Sequence, residues 1–205
     1  MRNYLLISIS CLSVAGCAAT QAQQAWTAQS NQITLAYGQE VACITSVKQV
    51  YASEFQSISK VLWAEEGDPP LSYLQNDALL SQEQKTGFSK VFDASQQCLN
   101  KYATALAPSS VELSNLISAY SKIRGEIALA LVNDQITVGA ANGYFRNLDR
   151  EVDSLWNTAS AQINSAYSAQ HQQELAARSA RIQAFGKALS DTYGPRPSVD
   201  VYVHD

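Results

Sequence analysis

Gly67-Asp68-Pro69-Pro70-Leu71 is the stretch that decides the fold. Proline lacks an amide donor and glycine tolerates backbone angles that other residues avoid, so this run ends any helix that enters it. It stands midway between Cys43 and Cys98, whose mean position is 70.5. Two antiparallel helices joined here bring the two cysteines opposite one another.

Helical spacing extends outward from this turn. Ile33, Tyr37, Glu40, Ile44, Val47, Tyr51, Phe55, Ile58 and Leu62 recur at alternating intervals of three and four, which is one face of a helix. On the other side, Ser81 with Gln84 forms a capping-box signature, and Phe88, Val91, Phe92, Ser95, Cys98, Leu99, Tyr102 and Leu106 continue as a seam that Pro108 ends. Ser109 with Glu112 is a second capping box and opens a third helix, lined by Leu113, Leu116, Ile117, Tyr120, Ile123, Ile127 and Leu131. After a tight Asn133-Asp134-Gln135 connection, Thr137 caps a fourth helix that runs to Gly194-Pro195. Its seam is Ala141, Phe145, Leu148, Val152, Leu155, Ala159, Ile163 and Tyr167, then Leu175, Ile182, Phe185 and Leu189. The expected fold is an all-α antiparallel four-helix bundle over residues 33–193. At 1.5 Å per residue the second and third helices are roughly 39 and 38 Å long, and the first and fourth roughly 60 and 80 Å. The first and fourth are therefore expected to pair beyond the bundle as a coiled-coil-like stalk. The alternative is a fourth helix that breaks near residues 168–170 and folds back.

Composition agrees with helices. Of 205 residues, 46% are hydrophobic and 16% charged, and nine Gly and five Pro are too few for the frequent turns of a sandwich or barrel. The net charge is −4 with no Lys/Arg run, which argues against nucleic acid as a partner.

The first residues form a secretory signal. Arg2 is followed by an uncharged apolar run from Tyr4 to Val14, too short to span a bilayer, and by the small pair Ala15-Gly16. Val14-Ala15-Gly16-Cys17 resembles the lipobox of bacterial lipoproteins. The resemblance covers residues 1–17 and implies a class, not an activity. It implies removal of residues 1–16 and modification of Cys17 with three palmitate-type acyl chains, a firm anchor. Ala18 stands where the inner-membrane retention signal has Asp, which implies the outer membrane, facing the periplasm or the cell surface. Removing residues 1–16 takes away Arg2 and no acid, so 13 basic and 18 acidic residues remain, net −5. Residues 17–32 become an uncharged tether, since the first charge after Cys17 is Glu40. Cys11 is lost and Cys17 acylated, which leaves Cys43 and Cys98. In an oxidising compartment they are expected to pair, and the alternative is two buried free thiols.

The chain offers little for catalysis. His171 and His204 lack partners at metal-ligand spacing, so no metal site or cofactor is expected, and His171 is expected to be solvated. The acidic groups Glu65, Glu66, Asp68 and Asp149, Glu151, Asp153 are expected on exposed faces, with Arg150 paired locally to Asp153. Trp63 and Trp156 are expected at the boundary of the bundle. Trp26, in the uncharged stretch near Cys17, is a candidate for the membrane interface. Residues 194–205 form an extended tail, where Val199, Val201, Tyr202 and Val203 fall in an alternating pattern that could add to a partner's sheet edge; the alternative is a frayed terminus. The expected function is a non-enzymatic, lipid-anchored envelope protein that engages a protein partner. The alternative is a bundle that binds a small ligand or lipid among its seam tyrosines.

Overall fold

A computed structural model describes residues 21–63 and 67–193, the side chains of 186 and 188–193 excepted. The described residues are helical with no strand, an all-α bundle. The helices are α1 (Gln21–Val50), α2 (Ala52–Ile58), α3 (Leu71–Leu74), α4 (Gln82–Leu106), α5 (Val111–Val132) and α6 (Val138–Tyr193). The chain divides into two compact units: Thr27–Ile163, and a second made of residues up to Trp26 together with those from Asn164 onward.

In the first unit the expected seams meet except at Ile123 and Leu155, which are 42% and 44% exposed, and at two places on α1. The first helix is interrupted at Tyr51, whose backbone leaves the helical region at φ −110° and ψ 37°. The hydrogen bonds from Tyr51 N to Val47 O and from Phe55 N to Tyr51 O flank the kink, so the chain bends without separating. Tyr37, expected on the seam, is 58% exposed, and its neighbour Ala36 is buried at 3%. A small side chain at that position fits a close approach to Leu99, Tyr102 and Ala103, where a tyrosine would not.

The ends of the helices follow their capping chemistry. Ser81 Oγ accepts from Gln84 N while Gln84 Oε1 accepts from Ser81 N, the expected capping box. Thr137 Oγ1 accepts from Ala140 N at the start of α6. At α5 the cap is Ser110, one residue later than expected, accepting from Leu113 N. The hydroxyl of Ser109 is turned aside and donates to Gln32 Oε1 at 2.6 Å.

Two apolar clusters fill the first unit. One gathers Ile58, Leu62, Leu80, Phe88, Ala128, Leu131, Val138 and Ala141. The other gathers Ala36, Leu99, Tyr102, Ala103, Leu106, Leu113 and Ile117. Trp156 packs against the second and stacks on Tyr102 at 6.2 Å.

The connector between α2 and α4 has more structure than its turn residues suggest. Gly67 takes φ +90°, and Pro70 leads into the single turn of α3. This connector is held against the first turns of α6. Val138 N donates to Ala78 O and Gly139 N to Asn76 O at 2.7 Å. Asn142, 3% exposed, is the hub: its Oδ1 accepts from Trp63 N, and its Nδ2 donates to Val61 O and Tyr73 O. Trp63 adds an edge-on contact with Tyr73 and an indole bond to Gly67 O.

The second unit pairs the start of α1 with the distal part of α6, the residues expected to form a stalk. Ala22 is buried and its N–H donates to Glu174 Oε1. Helix α6 is continuous through Tyr193, so no break falls at residues 168–170, where Ser168 Oγ bonds back to Asn164 O inside the helix. The structure starts α1 at Gln21, so the expected tether is helical from that residue on.

Candidate functional site

Cys43 and Cys98 are bonded, with Cα atoms 5.7 Å apart. Cys98 is almost wholly enclosed, which protects the link from exchange with solvent thiols. The bond lies at the same level of the helices as a set of polar side chains that the sequence did not single out.

These side chains form a belt between the two apolar clusters. On α4 and α5, Gln96 Nε2 donates to Ser121 O at 2.6 Å, and Ser121 Oγ is 3.2 Å from Gln96 Oε1 and 3.0 Å from Asn100 Oδ1. One turn along α5, Arg124 lies against the rings of Phe92, Tyr120 and Phe145, with its guanidinium carbon 5.3 to 5.9 Å from their centres. Such cation–aromatic contacts gain strength when desolvated. Arg124 Nη1 donates to the Tyr120 hydroxyl at 2.8 Å, and that hydroxyl donates to Asp149 Oδ1 at 2.7 Å.

The electrostatics follow from this enclosure. Burial raises the Tyr120 pKa to about 12; Arg124 opposes the shift and Asp149 adds to it. Tyr102 is likewise raised to about 12, by burial first and then by the nearby charge of Glu40. Glu40 itself is raised by burial against a partly compensating attraction to Arg124. The two phenols stay neutral at ordinary pH and act as fixed donors and packing groups. Tyr102 and Tyr120 are thus spent on stacking and hydrogen bonding inside the bundle.

Openings border the bundle among the described residues. A groove of about 400 Å³ runs along Ser53, Glu54, Ser57, Ile58, Thr86 and Gly87, with Lys90 Nζ 3.5 Å from Glu54 Oε1 at its rim. A smaller one of about 90 Å³ adjoins Cys43, Cys98, Glu40 and Tyr102. The first has Glu54, Glu83 and Lys90 among its walls.

The other expected site residues are distributed as follows. Cys17, Glu65, Glu66, His204 and the tail residues Val199, Val201, Tyr202 and Val203 lie outside the described residues. Trp26 is engaged in the second unit: its indole stacks on Tyr167 at 5.1 Å, and its Nε1 donates to Asn164 Oδ1. His171 continues this stack on Tyr167 at 5.7 Å, so it is part of an aromatic ladder and not simply solvated. Arg150 pairs with Asp68, 82 residues away, and not with Asp153. Proximity along a helix is a weak guide where a loop brings a closer carboxylate. Among the described residues no three His, Cys, Asp or Glu side chains stand where they could hold a metal ion. No described helix is long and apolar enough to cross a membrane.

No family model, curated protein or solved structure matches the chain. The residues that sequence reasoning missed are Asn142, Gly139 and Arg124. An asparagine or arginine within helical spacing resembles any solvated position, and only partners distant in sequence reveal it as interior. A signal existed for Arg124: it lies four residues after Tyr120 and three before Ile127, on the seam itself.

Proposed function

We propose that the chain is a lipid-anchored lipoprotein of the cell envelope, held at the outer membrane by acylated Cys17, and that it serves as a non-enzymatic structural or protein-interaction module facing the periplasm. The observation that carries this reading is the pairing of Cys43 with Cys98 in a chain whose residues 14–17 resemble a lipobox. A buried disulfide persists in an oxidising compartment, and an export signal leads there. The interior supports the module reading, because Arg124 and Tyr120 are committed to one another and Tyr102 to packing against Trp156. The binding alternative draws no support from the seam tyrosines, since Tyr102, Tyr120 and Tyr167 occupy packed positions and Tyr37 is exposed.

The test joins localisation to partner. Cells are fed a labelled fatty acid, and the wild-type chain is compared with Cys17→Ser. Label on the wild type and none on the variant is expected, and equal labelling would overturn the anchor. Cross-linking in intact envelopes then identifies the partner, and a deletion of residues 195–205 asks whether the tail carries the contact. Unchanged partners would remove the tail from the interaction.

A further inference from the structure

The distal part of α6 carries apolar side chains that are exposed among the described residues of its own unit. Leu175, Ile182 and Phe185 are 48%, 72% and 64% exposed. At 100° per residue they fall within one third of the helix circumference. Arg178 and Arg181 stand in or beside this strip around the helix and Lys187 on the opposite side, with Glu174 and Asp191 bordering the segment, in a chain that is net negative. A helix with an apolar strip among cations suits the boundary of an anionic bilayer, where the strip enters the headgroup layer and long basic side chains reach the phosphates.

Chain length sets how far this segment can stand from Cys17. Ala22 bonds to Glu174, and Trp26 stacks on Tyr167, so the two helix segments run antiparallel and α6 from Glu174 to Tyr193 extends past Ala22. Five residues back from Ala22 is Cys17, a span of about 18 Å at full extension. From Glu174, Ile182 and Phe185 lie about 12 and 16 Å further along α6, and Tyr193 about 28 Å. A lipid on Cys17 would therefore hold Ala22 within about 18 Å of the surface and leave the segment from Ile182 onward within reach of it.

We propose that residues 175–187 form a second, non-covalent membrane contact, a basic amphipathic face that lies in the headgroup region of an anionic bilayer next to the lipidated cysteine. The proposal rests on the lipoprotein reading for its placement, while the chemistry of the segment is its own.

The full lipidated protein, with an environment-sensitive fluorophore on Ile182→Cys, is reconstituted into phosphatidylcholine vesicles with and without phosphatidylglycerol. Ala180→Cys on the opposite side of the helix serves as reference. The Ile182 label is expected to shift to shorter wavelength and to be quenched by lipid-borne quenchers, most strongly in anionic vesicles, while the Ala180 label stays water-like. Replacing Arg178 and Arg181 with Gln is expected to lower the anionic preference about fivefold per charge, and Lys187→Gln, on the side of Ala180, is expected to change it less. A water-like Ile182 label in both vesicle types overturns the proposal. So does a concentration-dependent shift without vesicles, which would make a second copy the cover. Fatty-acid labelling separates the two readings. A lipidated chain with a water-exposed label loses the contact and keeps the anchor. An unlipidated chain whose label still enters added anionic vesicles loses the anchor and keeps the contact.

Discussion

Gly139 stands against the backbone of Asn76 so closely that a Cβ on it would lie 2.9 Å from both the nitrogen and the oxygen of Asn76, and 2.5 Å from Leu74 O. Those atoms belong to a connector pinned from several sides and cannot withdraw. Gly139→Ala is therefore expected to destabilise the bundle by about 2 kcal/mol. Gly143, four residues along the same helix, has open space at that position. There Ala is expected to add about 0.5 to 1 kcal/mol through helix propensity. Opposite shifts of the denaturant midpoint for the two variants would check both statements.

Ser110 and Ser109 should differ sharply on replacement. Ser110→Ala removes the acceptor for Leu113 N at a buried helix start, at an expected cost of about 1 kcal/mol. Ser109→Ala removes only its exposed link to Gln32 and is expected to cost less than half as much. Thermal unfolding of the two variants would rank them, and a larger loss at Ser109 would move the cap back to the residue the capping-box pattern names.

Reduction of the Cys43–Cys98 bond releases a chain segment of 55 residues in the unfolded state, and the stability lost is expected to be about 4 kcal/mol. A Cys43→Ala, Cys98→Ala double variant should lose a similar amount and become insensitive to reductant. Denaturation with and without a thiol reagent measures it.

The two raised tyrosines make the fold sensitive to alkali. Their ordinary pKa is 10 and their folded values are about 12, so the protein gains from them while both states are protonated, and loses that gain as pH rises between these values. Ultraviolet titration of the ten tyrosines is expected to show a late phase near pH 12. Tyr120→Phe should remove part of that phase and weaken the alkaline loss. At neutral pH the same variant should cost about 1 to 2 kcal/mol, because Arg124 and Asp149 lose their shared hydroxyl.

Glu40 gives the corresponding acid-side prediction. Its folded pKa is raised above 4.5, so protonation favours the folded state and the advantage is lost as pH climbs through the raised value. Glu40→Gln is expected to raise the unfolding midpoint at pH 7 and to leave it unchanged at a pH where the wild-type carboxyl is already protonated. Melting curves across that range would show whether the two chains converge.

Much of the fold was legible because its signals are local or countable. Ser81 and Gln84 sit three apart and cap one another, Pro108 and Asn133 follow the last turns of α4 and α5, and two cysteines equidistant from a turn are bonded, whereas α2 stops at Ile58, well before Gly67. Tyr37 misled because helical spacing alone favours the larger residue, whereas close helix approach selects Ala36. The serine at the start of α5 was misplaced by one because Ser109 and Ser110 both suit a cap. Gln32, 77 residues away, takes Ser109 out of the choice. Asn142 shows the same limit: its partners Val61, Trp63 and Tyr73 are 69 to 81 residues distant, beyond any pattern along a single helix.

The polar belt turns oxidation of the cysteines into a proofreading step. Sliding one helix by a turn, about 5.4 Å, would carry Ser121 away from Gln96 and Asn100 and push Arg124 toward an apolar layer. The same slip in the pairing of α1 with α4 would separate Cys43 from Cys98 beyond bonding distance. Only a correctly registered hairpin can then be sealed within one chain. A misaligned one keeps its thiols or links to another molecule, and the ratio of the two forms on a non-reducing gel becomes a direct count of folding errors.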